Sequence, residues 1–157
     1  MQLYLVQHGE AVPETVDPNR PLTDLGREDV QRLAAFLKER GVRVGRVVHS
    51  GKLRASDTAA ILASAIGEGT VVEVMDRGLA PKDSPVYAAE AAETWREDTL
   101  IVGHQPTISR LLSRLVLGAE NPIIVNFTPG TVVGLLRRPA TGAFFISCMI
   151  PPELLRG

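Results

Sequence analysis

Short apolar runs that break off at a polar turn recur along the chain: Leu3-Tyr4-Leu5-Val6 before Gln7-His8-Gly9-Glu10, Val47-Val48 before His49-Ser50-Gly51, Val71 to Val74, and Leu100-Ile101-Val102-Gly103 before His104. Such runs predict strands of a mainly parallel sheet, the first and the last of them buried. Between them the period changes to that of a helix. Val30, Leu33, Ala34 and Leu37 form one stripe, Ala59, Leu62, Ala63 and Ile66 a second, and Ile108, Leu111, Leu112, Leu115 and Val116 a third. Each stripe predicts a helix with one buried face.

The punctuation agrees with this division. Thr23 or Asp24 suits the N-cap of the first helix, Gly41 its end, Gly67 the end of the second, and Pro106 the first turn of the third. Ala88 to Arg96 is a further, alanine-rich helix, and Asp76 to Pro85 is a loop. Asn121 to Gly130 is a mixed segment with room for an edge strand. Thr131 to Leu136 and Phe144 to Met149 flank Arg-Arg-Pro-Ala-Thr-Gly as a closing hairpin. Strands alternating with helices predict an α/β fold, a three-layer α/β/α sandwich with a mainly parallel central sheet. A length of 157 residues suits one domain spanning 1–157.

Composition narrows the function classes. Hydrophobic residues are 45% and charged residues 22%, which describes a globular chain, and no apolar stretch approaches the roughly 20 residues of a membrane span. A net charge of -1 gives no electrostatic case for nucleic acid or an anionic membrane surface. The first strand begins at once, leaving no room for a leader, and the single cysteine, Cys148, sits in an apolar strand as a buried thiol. These features point to the cytoplasm. The sequence sets no oligomeric state.

The candidate chemistry lies where the runs stop. His8, Ser50 and His104 follow three separate strands, at the sheet edge where α/β folds bind ligands. Arg54 lies one helical turn beyond Ser50 and can reach back to the same edge. Two imidazoles, an arginine and helix N-termini suit a phosphoryl group, and a histidine so placed can carry that group covalently. A metal is the competing use of two histidines, but the sequence offers no compact set of further ligands, and Arg54 would repel a cation.

Taken together, the motifs resemble those of the histidine phosphatase (phosphoglycerate mutase-like) superfamily, most of all its bacterial SixA-type phosphohistidine phosphatases. Gln7-His8-Gly9-Glu10 stands at the family's Arg-His-Gly-acid position and Pro21-Leu22-Thr23 with Gly26 at its Pro-Leu-Thr signature. Ser50-Gly51-Lys52-Leu53-Arg54-Ala55 with Thr58-Ala59, and Gly103-His104, match its remaining motifs. The resemblance implies a phosphatase that needs no metal or organic cofactor, with His8 as nucleophile and Arg54 and His104 binding the phosphoryl oxygens. Gly9, Ser50 and Gln105 would shape or line the phosphate site.

Two departures stand out. Gln7 replaces an arginine, removing a charge and a forked donor; Arg20 is the candidate to compensate. The loop Leu79 to Ser84 lacks the glutamate that many relatives use as leaving-group acid, leaving Asp83 or Glu10. That favours a labile P–N bond, hence phosphohistidine on a protein partner, over an alkyl ester. The alternatives are a phosphatase for a small phosphorylated metabolite, and a catalytically impaired module that binds phosphate or a phosphoprotein.

Overall fold

In the computed structural model, which describes all residues from Met1 to Gly157, strands and helices follow in the expected alternation. They are β1 (Gln2–Gln7), α1 (Asp24–Glu39), β2 (Arg46–His49), α2 (Leu53–Ile66), β3 (Val72–Val74), α3 (Val86–Thr94), β4 (Thr99–Gly103), α4 (Thr107–Leu117), β5 (Val132–Arg137) and β6 (Phe144–Ile150). One sheet takes the order β3-β2-β4-β1-β5-β6. Its first four members are parallel, and β5 and β6 add an antiparallel edge.

The two-residue period of the strands builds the three layers. Leu3 and Leu5 of β1 and Ile101 of β4 pack with Ala88 and Ala92 of α3 and Ile108, Leu111 and Leu112 of α4. Tyr4, Val6, Leu100 and Val102 face the other way, onto Val30, Leu33 and Leu37 of α1 and Ala59, Leu62 and Ile66 of α2. A strand buried on both faces has no polar side to alternate with, so its sequence runs apolar. No helix is long and apolar enough to cross a membrane.

The α1 N-cap is Thr23, whose hydroxyl accepts the Gly26 N–H at 2.9 Å. Three expectations are corrected. Asn121 to Gly130 contains no strand: its carbonyls at Pro122, Val125 and Phe127 accept hydrogen bonds from Ser113, Ser109 and Gln105. Polar side chains thus take acceptors that a ladder would have used. Pro106 is the residue capping α4, not a member of its first turn. Cys148 is exposed, because β6 is the edge of the sheet and only Phe144 along it is buried.

Candidate active site

Register brings the polar strand ends together. Gln7 pairs with Gly103 across β1 and β4, and His49 pairs with Val102 across β2 and β4. The next residues of these strands, His8, Ser50 and His104, therefore emerge at one edge of the sheet. The His8 backbone N–H donates to the Gly103 carbonyl at 3.1 Å. The two imidazole rings lie 4.8 Å apart, tilted by 51°.

His8 is set up to present one unprotonated nitrogen to the Arg54 side of the site. Its Nδ1–H donates to the Gly9 carbonyl oxygen at 2.7 Å, which leaves the lone pair on Nε2. The Arg54 Nε–H donates to that nitrogen at 3.3 Å. Burial pushes the His8 pKa down to about 4; the bond to Gly9 opposes this, and the Arg54 and Arg20 guanidiniums reinforce it. At neutral pH the ring is an uncharged nucleophile.

His104 is 1% exposed, and its Nε2 shares a 2.6 Å hydrogen bond with Ser50 Oγ. Burial first, then His8, Arg54, Lys52 and Arg20, push its pKa down to about 2. The field around both rings is thus strongly positive. It is also unpaired: none of the chain's ion pairs includes Arg54 or Arg20. Arg54 is buried at 8% exposure; burial and then Arg20 hold its pKa below the usual arginine value, and Glu14, not in ion-pair contact, opposes them. A buried cation with no carboxylate partner is costly until an anion arrives. The cleft that would receive one is about 370 Å³ and is lined by Gln7, His8, Glu10, Arg20, Arg54 and His104, with Pro81, Gln105 and Pro129 on its walls.

The turn carrying His8 is held from behind. A Cβ on Gly9 would lie 2.8 Å from Val30 Cγ2, so only glycine lets α1 pack against this strand end. The Gly9 N–H donates to Thr58 Oγ1 at 3.0 Å, and the Thr58 hydroxyl donates to the Arg54 carbonyl at 2.7 Å. Thr58 thereby ties the nucleophile's turn to the helix bearing Arg54. The sequence placed Thr58 in a motif with Ala59 but gave it no role, although its position four residues after Arg54, on the buried face of α2, pointed to one.

The other expected residues divide. Arg20 reaches the cleft and is anchored by its Nε–H on the Val12 carbonyl at 3.0 Å. Glu10 lines the cleft from an exposed position and accepts the Thr23 hydroxyl at 3.1 Å. Gln7 is there too, with Oε1 buried and unpartnered. The Gly9 N–H is committed to Thr58, so Gly9 shapes the turn and donates nothing to a ligand. Gln105 forms part of the wall while its amide is engaged by Phe127 and Ser109. Asp83 is not brought to the cleft: its carboxylate accepts the Gly78 and Ala80 N–H groups at 2.7 and 3.0 Å, bracing its own loop. Pro81 is what that loop contributes.

Comparison with known proteins adds four findings. The family model described as Histidine phosphatase superfamily (branch 1) matches residues 3–79, a range that includes His8 and Arg54. The chain is 30% identical over 142 residues to an uncharacterized protein of Picosynechococcus sp., covering 86% of this chain and 84% of that one. It is 26% identical over 130 residues to the phosphohistidine phosphatase SixA of Escherichia coli (strain K12), covering 80% and 81%. The solved structure of the protein histidine phosphatase SixA complexed with tungstate superposes with a TM-score of 0.87 at 22% identity, covering 99% of this chain and all of that one. At that identity the superposition speaks to the fold.

Proposed function

The chain belongs to the histidine phosphatase superfamily, and from that premise we propose that His8 is its nucleophile and phosphohistidine on a protein partner its substrate. The observation that carries this reading is the pair of guanidiniums without an ion-pair partner, Arg54 and Arg20, on the cleft wall with the unprotonated Nε2 of His8, which accepts from Arg54 Nε–H.

The chemistry runs in two steps. Nε2 of His8 attacks phosphorus in line; the new P–N bond forms as the substrate's own P–N bond breaks, and the departing imidazole takes up a proton. Arg54, Arg20 and His104 stabilise the equatorial oxygens as charge shifts onto them, a preorganised role that supplies much of the rate. Water then attacks the phosphoryl group, the bond to His8 breaks, and inorganic phosphate leaves. Glu10 is the one carboxylate on the cleft wall, and it relays the proton in each direction. An exposed carboxylate is a weak acid catalyst for an alkoxide leaving group, whereas imidazole leaves readily once protonated. This supports phosphohistidine over a phosphoester. The cleft also stays open on its outer side, with Glu10 exposed at its rim.

Relative rates test the substrate class. Metal-free hydrolysis of a histidine-phosphorylated protein should exceed that of an alkyl phosphate ester by at least about a hundredfold in kcat/KM, corresponding to about 3 kcal/mol of leaving-group advantage. Comparable rates, or a preference for the ester, would move the assignment to a small phosphorylated metabolite.

A further inference from the structure

Gln105 lines the catalytic cleft on one side and a second depression on the other. That depression, about 430 Å³, is completed by Pro106, Ser109, Ile123, Asn126 and Phe127. One segment serves both: it gives Pro129 to the cleft and Ile123, Asn126 and Phe127 to its neighbour. The second depression is a groove that adjoins the cleft at Gln105.

The segment has no regular structure, yet it is braced. Ser113 Oγ donates to the Pro122 carbonyl at 2.9 Å, Ser109 Oγ to that of Val125 at 3.0 Å, and Gln105 Nε2 to that of Phe127 at 3.2 Å. Ser109 and Ser113 lie four residues apart and so share one face of α4. With these carbonyls turned inward, Val125 and Phe127 are buried, while Ile123 and Ile124 stay 46% and 41% exposed. Two adjacent isoleucines facing water on a fixed backbone, beside a phosphoryl site, form the kind of apolar patch that contacts another molecule. A metabolite bound at His8 would leave this patch empty; a polypeptide continuing past the cleft would cover it.

We propose that this groove beside the cleft receives the stretch of polypeptide flanking the phosphohistidine of a protein substrate, with an aliphatic side chain of that stretch packed against Ile123. The inference rests on the phosphohistidine reading above and adds a specificity surface to it. Because the groove is already formed, docking costs little ordering on the enzyme side.

The test compares free phosphohistidine with a phosphohistidine peptide carrying leucine at neighbouring positions, in wild type and in Ile123→Asp. Ile123 is exposed, so the substitution leaves folding intact. Wild type should favour the peptide by about tenfold in kcat/KM, the worth of burying one aliphatic side chain. Ile123→Asp should lose that preference through KM while hydrolysing free phosphohistidine as wild type does. Equal wild-type turnover of peptide and free amino acid, or a preference that survives in Ile123→Asp, overturns the groove alone. Turnover of neither, with p-nitrophenyl phosphate still hydrolysed, overturns the substrate class and the groove with it.

Discussion

His8 and His104 owe their chemistry to what surrounds them. Both are buried among cations with no acid to pair with, so both stay neutral where a free imidazole would begin to protonate. The consequence for stability has a definite sign. An unfolded histidine takes up a proton near pH 6.5, whereas folded His8 waits until about 4, so between these values the unfolded state binds more protons. Stability is therefore complete above about pH 6.5 and declines as pH falls toward 4. Urea unfolding across that range should show the decline, and His8→Gln should make it shallower; an unchanged slope would place His8 in a more solvated setting. Gln7 and Arg20 make a second pair to be read together. Removing a charged hydrogen bond costs about 1.5–3 kcal/mol, so Arg20→Ala should lower kcat/KM by roughly tenfold to a hundredfold. If Arg20 supplies the charge absent at position 7, Gln7→Arg should raise kcat/KM by no more than about threefold. A gain of tenfold or more would mean that the site is impaired as it stands.

The elements show what the sequence could and could not convey. Stripes at helical spacing and apolar runs ending in Gly or a polar residue located the central strands and the helices, because a doubly buried strand and an amphipathic helix each leave a periodic trace. His8, Ser50 and His104 were legible for the same reason, since a strand end is a place that periodicity marks, and Arg54 by its place one helical turn beyond Ser50. What was not legible depended on partners distant in sequence. The braces on residues 121–130 come from α4 and from the turn before it, so the segment's apolar residues resembled a strand. The run around Cys148 resembled a buried strand because sequence alone does not say which strand lies at the sheet edge. Asp83 was a plausible acid by loop position, yet two backbone N–H groups of its own loop already occupy its carboxylate. Thr58 went unassigned because its partner, Gly9, is 49 residues away.

On the scale of the whole molecule, strand order assembles the reactive centre. Placing β4 between β1 and β2 sets three polar strand ends in a row, and the α2 N-terminus brings Arg54 over the first of them. Helices cover both faces, the edge with the strand ends stays open, and a second depression adjoins that opening at Gln105. The proposed chemistry depends on a covalent phosphoryl bond to His8. Rapid quenching during turnover, followed by mass spectrometry of the base-stable, acid-labile adduct, tests it directly. One phosphoryl group per chain on the peptide containing His8, lost together with turnover in His8→Ala, is the predicted result. Turnover that persists in His8→Ala, or an adduct on His104 instead, would contradict it.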